Sequence, residues 1–136
     1  MRGLPLGLMF VSAIGMLMPT LAAAQNPCGY AFSVTGETLY TDHCASCHGA
    51  DGRGGGQLAS SQKARPADLT EIKKRNRGEF PADRIVEIIS SGGAIRGHET
   101  DQIMPIWGKV FHGECGPAFS RHAVVELKRY LESIQR

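Results

Sequence analysis

The sequence predicts an all-α domain with long loops. Two segments carry apolar residues at three- and four-residue steps, and Pro, Gly and capping residues sit where those segments would start and stop. Alternation of Val, Ile and Thr is nowhere sustained, so no strand is expected.

The first stretch stands apart from the fold. Met1-Arg2 is a short positive start, Leu4 to Leu17 is almost wholly apolar, Pro19 breaks the run, and Ala22-Ala23-Ala24 supplies a small-residue cleavage pattern. That order is a secretory signal peptide over residues 1–24, leaving one domain over 25–136 that begins at Gln25. The alternative, a retained anchor, needs roughly 20 apolar residues, and this run is shorter. No later segment is apolar enough to span, so no membrane anchor is expected after cleavage.

About 110 residues remain, the size of one small domain, and a core that small often needs a covalent or cofactor staple. The formal charge is +2 and falls towards neutral once Arg2 is lost, which gives no electrostatic case for nucleic acid.

From Gly36 the chain has no breaker until Cys44 and reads as a helix, with Leu39, Tyr40 and Cys44 on about one side. Gly49 to Gly56 is glycine-dense loop. It lacks the GK[ST] ending of a phosphate loop and leads into no strong helix. Pro66-Ala67-Asp68-Leu69-Thr70 reads as a turn into a short helix, capped by Asp68 or Thr70 and stopped by Gly78. Pro81 fits the first position of the next helix, where a missing N–H is harmless. Its stripe of Ile85, Ile88 and Ile89 ends at Gly92-Gly93. Gly97 to Gly108 is expected as a long connection holding Met104-Pro105, and Ser120 as the cap of a last helix with Val124, Leu127, Leu131 and Ile134 on one face.

Cys44-Ala45-Ser46-Cys47-His48 carries the chemistry. Two cysteines three positions apart on a helical turn point the same way, so each can bond one vinyl edge of a haem. The adjoining histidine then reaches the iron from the same side. A zinc site would need four ligands, and Cys28 and Cys115 are isolated rather than paired. A thioredoxin-like CxxC wants a strand before it, whereas here a helix precedes. The motif occurs once, which sets one covalently attached haem c as the expected cofactor.

On these residues the chain resembles the class I bacterial c-type cytochromes over essentially all of its mature length. The carriers are Gly36 to Tyr40 running into Cys44-Ala-Ser-Cys47-His48-Gly49, the Pro66-Ala-Asp-Leu69 turn, Met104-Pro105-x-Trp107-Gly108, and Leu127-x-x-Tyr130-Leu131. The resemblance implies a small cytochrome c-like helical domain wrapped around one haem, with N- and C-terminal helices crossing where Gly36 meets Tyr130. It implies periplasmic location, redox protein partners and one-electron transfer rather than enzymatic turnover.

Of five methionines, four leave with the signal peptide, so Met104 is alone in the mature chain. It is followed by Pro105, lies in a glycine-bounded loop, and occupies the place of the family's axial Met-Pro. A lone methionine is otherwise core filler, and His98 and His112 are the alternative sixth ligands. The resemblance also assigns Pro66 the carbonyl that holds the His48 ring. Leu69, Ile88, Ile89 and Trp107 are candidates for the haem wall, with Trp107 satisfied either by a haem propionate or by plain core packing. His43 and His122 read as surface residues or satisfied hydrogen-bonders.

Cys28 and Cys115 are left over. In an oxidising compartment they pair as a disulfide; on the blander reading they are free thiols. Lys73-Lys74-Arg75 with Arg77 is a solvated helix face or a docking patch for an acidic partner. Two further functional readings stand beside the free carrier: a haem subunit of a dehydrogenase or oxidase complex, and a ligand-binding or sensory haem protein should Met104 leave the iron open.

Overall fold

The computed structural model describes Cys28 and residues 33–93 and 104–136. The expected signal peptide lies outside the described residues, as does His98. Among the described residues there is no strand, and no helix is long and apolar enough to cross a membrane.

The first helix, α1, runs Gly36–His43. Thr35 opens it, its side-chain oxygen accepting from the Thr38 N–H at 3.2 Å, and Glu37 in the first turn and His43 in the last suit the helix dipole. Cys44 keeps right-handed helical angles and the chain continues at once into α2, Ala45–His48. Gly49, at φ +83, stops it. The loop that follows folds back onto α2, with the N–H groups of Gly54, Gly56 and Leu58 donating to the carbonyls of His48, Cys47 and Ser46 at 2.7, 3.1 and 2.8 Å.

A 3₁₀ turn at Ala59–Ser61 and a second at Leu69–Glu71 lead into α3, Ile72–Arg75. Asp68 caps the second turn through the Thr70 N–H, so Asp68 takes the role that the sequence left shared with Thr70. Gly78 closes α3, its N–H donating to the Lys73 carbonyl at 2.9 Å. Helix α4 is Ala82–Ser91, with Pro81 just before its first residue rather than at it. Ile85 and Ile89 are buried, and left-handed Gly92 returns its N–H to the Ile88 carbonyl at 3.0 Å.

The last helix departs from expectation. Helix α5 spans Trp107–Ser133, broken by non-helical backbone at Cys115 and Gly116. The connection therefore ends before Trp107, and Gly108 lies inside the helix against Ser90 of α4. Ser120 is not a cap: its hydroxyl donates to the Gly108 carbonyl at 2.8 Å. The second segment starts instead at Pro117, a residue suited to a first turn, behind a glycine at φ +82.

Helix α5 packs on both α1 and α4. The core between them is Leu39, Tyr40, Ile72, Ile85, Ile89, Phe111, Phe119, Ala123, Val124, Leu127 and Leu131. The crossing of α1 and α5 sits at Gly36, where a Cβ would overlap the Glu126 carbonyl and lie 2.7 Å from the Tyr130 Cβ. Only glycine admits that approach. Cys28 and Cys115 form a disulfide with Cα atoms 5.5 Å apart, which removes the free-thiol reading and ties the start of the described chain to the break in α5.

Candidate functional site

Cys44 and Cys47 stand within one turn of a nearly continuous helix because Cys44 joins α1 to α2 without leaving helical angles. The Cys47 and His48 N–H groups both donate to the Cys44 carbonyl, at 3.1 and 2.9 Å. Below the motif, the buried Tyr40 hydroxyl donates to the Gly49 carbonyl at 2.6 Å. Cys44, Cys47 and His48 are each half-buried, at the edge of the core rather than inside it.

The His48 ring is fixed by a partner that the sequence reading placed one residue off. Its Nδ1 lies 3.0 Å from the Ala67 carbonyl, not from Pro66. A carbonyl only accepts, so Nδ1 carries the proton and Nε2 keeps its lone pair. Pro66 is unavailable because its carbonyl is turned towards Gly54, so close that a Cβ there would overlap it. Burial holds the His48 imidazole below its ordinary value of 6.5, against the opposing pull of the Ala67 carbonyl. The neutral ring with an open Nε2 is the form that binds a metal.

The Cys44 thiol does not suit a redox pair. Burial, and then the neighbouring Cys47, push Cys44 up to about 12, whereas thioredoxin-like chemistry needs a lowered thiol. The zinc reading also fails on the residues present. Cys28 and Cys115 are oxidised, and among the described residues no three His, Cys, Asp or Glu gather as a protein-only metal site. Haem c suits this donor set: two thiols on one helical turn, and beside them an imidazole with Nε2 free.

The other sequence candidates are spread around this turn. Met104, three residues ahead of α5, and Trp107, its first residue, are half-buried and pack on the core. Trp107 stacks on Phe111 at 5.8 Å, and His43 meets both rings edge-on at 5.2 Å. His43 is thus part of an aromatic cluster, not a surface residue. Leu69 is half-buried, with its N–H donating to the Gly52 carbonyl at 2.7 Å. Ile88 is half-buried, and Ile89 belongs to the protein core. His112 is exposed on α5 and His122 half-buried on it.

Sequence reasoning missed three groups. Ala67 contributes only its carbonyl, which any residue supplies, so no side-chain signal marks it. Gln62 places its amide 3.9 Å from the Cys47 sulfur. Gln135 and Arg136, next to α5, clamp the Asp68–Lys73 segment from more than 60 positions away, with no local cue. Asp68 in that clamp is held below its ordinary 3.8, first by the Thr70 hydroxyl; desolvation comes next and opposes it, and the Thr70 N–H, Arg136 and Arg75 then add to the lowering.

An open recess of about 590 Å³ lies elsewhere, lined by Lys73, Lys74, Glu79, Phe80, Glu132 and Arg136 among others, and holds none of the cysteines or His48. The recess is therefore separate from the α1–α2 junction that carries the CxxCH turn.

The family model of cytochrome c matches residues 33–135. No curated protein and no solved structure matches the chain. With a helical fold, a matching model over three quarters of its length and a CxxCH turn within the matched range, the chain belongs to the cytochrome c family, whose members bind haem c covalently and carry electrons.

Proposed function

We propose that this chain is an exported monohaem cytochrome that carries single electrons between protein partners in the periplasm, with its haem bound to Cys44 and Cys47 and its iron held by His48 and Met104. The observation that carries this reading is the hydrogen bond from His48 Nδ1 to the Ala67 carbonyl at 3.0 Å. It fixes the tautomer, leaves Nε2 as the donor atom, and raises the basicity of the ring.

Haem c supplies a one-electron iron couple at this site. The protein's part is to keep the surroundings of that couple constant. His48 is anchored at its far nitrogen, the helix turn bearing both thiols is braced by the Tyr40–Gly49 bond, and the loop of residues 49–58 is stitched back onto α2. Met104 would hold the iron through its thioether, which would favour the reduced state relative to a second imidazole. Partners dock at the edge and leave, as a near-neutral surface with local charge allows.

The test is direct. The mature protein, made together with a working haem-attachment system, keeps its colour through denaturation and acid–acetone extraction. Extractable porphyrin, or a colourless product, overturns the assignment. An obligate complex subunit would instead elute from native extract at the size of the complex during gel filtration.

A further inference from the structure

We infer that Arg136 is a positioning residue for the His48 imidazole, acting through Asp68 and Thr70 on the peptide whose carbonyl the ring holds. This rests on the reading that His48 binds the iron.

The Ala67 carbonyl belongs to the Ala67–Asp68 peptide, so its direction depends on how Asp68 is held. Asp68 is held on every side. Its Oδ1 accepts from the Thr70 N–H at 2.9 Å and the Thr70 hydroxyl at 2.6 Å. Its Oδ2 accepts from an Arg136 Nη at 3.1 Å, and its own carbonyl from an Arg75 Nη at 2.6 Å. Arg136 adds Nε to the Thr70 hydroxyl oxygen at 2.7 Å and its backbone N–H to the Thr70 carbonyl at 3.0 Å. Thr70 is 4% exposed, so this hydroxyl, donating to Asp68 and accepting from Arg136, has little water to fall back on. Gln135 completes the clamp, donating to the Leu69 carbonyl and accepting from the Lys73 N–H, both at 2.8 Å. The guanidinium fork spans carboxylate and hydroxyl together, a geometry that a lysine ammonium does not reproduce.

The consequence reaches the iron through the ring. A well-aimed carbonyl on Nδ1 makes the imidazole a stronger donor, which favours ferric iron. Loosening the Ala67–Asp68 peptide weakens that bond and raises the reduction potential. Simple loss of a nearby positive charge does the opposite, because a cation disfavours the more positive ferric state. The two effects differ in sign and can be read apart.

The experiment measures potential and the solvent exchange of the His48 Nδ1–H by NMR in the haem-loaded protein. Arg136→Lys keeps the charge and loses the fork; Thr70→Val removes the shared hydroxyl with no change of charge. Each should raise the potential and speed the exchange about ten-fold, as local opening of the ring contact requires, with the low-spin visible spectrum intact. Potential and exchange like the parent protein in both variants overturn the inference, as does a lowered potential in Arg136→Lys. His48→Ala separates the two layers: loss of the low-spin haem spectrum upholds the ligand reading, so a silent Arg136→Lys then sinks the positioning role alone. An unchanged spectrum in His48→Ala sinks both.

Discussion

Gly36 faces Tyr130 so closely that a Cβ at position 36 would lie 2.7 Å from the Tyr130 Cβ. The same contact lets the Tyr40 and Tyr130 rings meet at 5.1 Å, one from each crossing helix. Gly36→Ala therefore has to spread α1 from α5. Overpacking of this kind lowers stability by about 1–3 kcal/mol. Denaturant melts of the haem-loaded variant measure it, and a midpoint equal to the parent's would show that the crossing relaxes freely.

Tyr40 ties that crossing to the CxxCH turn. Its hydroxyl is buried, with the side chain 1% exposed, and donates to the Gly49 carbonyl at 2.6 Å. Burial comes first in driving its acidity well below normal, so the phenol stays protonated and remains a donor. Tyr40→Phe preserves the packing and removes this bond, leaving the carbonyl the Gly52 N–H at 3.1 Å, for an expected loss of about 0.5–1.5 kcal/mol. The check is equilibrium unfolding followed at the haem absorption, where a stability within error of the parent would show that another donor replaces the hydroxyl.

Much of this was legible because the governing interactions are local. Cys44, Cys47 and His48 must be contiguous for one turn to present them. The end of α4 is marked by Gly92, which acts on its own turn, and α1 begins at Gly36 as the unbroken run suggested. The start of α5 was not legible. Gly108 and Gly113 are poor helix formers, and that segment is held by tertiary contacts of Trp107 and Phe111 with His43 and of Gly108 with Ser90. Backbone groups such as the Ala67 carbonyl carry no residue signature. The clamp on Asp68 joins positions 68 apart, and only folding brings them together.

The Asp68 clamp should show in acid. Its carboxyl is depressed in the folded chain by the Thr70 hydrogen bonds first and the arginines second, so the native state binds that proton less readily than the unfolded chain. Its contribution is then fully present above the ordinary value of 3.8 and is lost as pH falls from there through the folded value. The stability gap between parent and Asp68→Asn should be flat from about pH 5 to about pH 7 and shrink below about pH 4. A gap that widens in acid would contradict the depressed value.

The Cys28–Cys115 bridge spans 87 positions, and a loop of that length gives about 4–5 kcal/mol on the chain-entropy account. Replacing both cysteines by alanine should lower unfolding stability by an amount of that order. The break at Cys115 and Gly116 needs no bridge to form, because Pro117 and a glycine at φ +82 already impose it. Helix content measured by circular dichroism should therefore hold while the melting point drops. No thiol should react with alkylating agent in the haem-loaded parent protein, and two labelled thiols would place this disulfide outside the working protein.

Met104 separates a ligand from a filler. It packs half-buried against the core, and as filler alone its replacement by alanine would lower stability by about 2–5 kcal/mol and leave the haem spectrum as it was. As the sixth ligand it does more. Its thioether favours ferrous iron, so Met104→Ala should lower the reduction potential and abolish the weak absorption of the ferric iron–sulfur bond. Optical titration of parent and variant reads both. A shifted potential with the iron–sulfur band gone assigns the sulfur to the iron. A parent without the band, and a variant that melts earlier at an unchanged potential, return Met104 to the core and leave His98 or His112 as the ligand, of which His112 lies exposed on α5 and would have to turn inward.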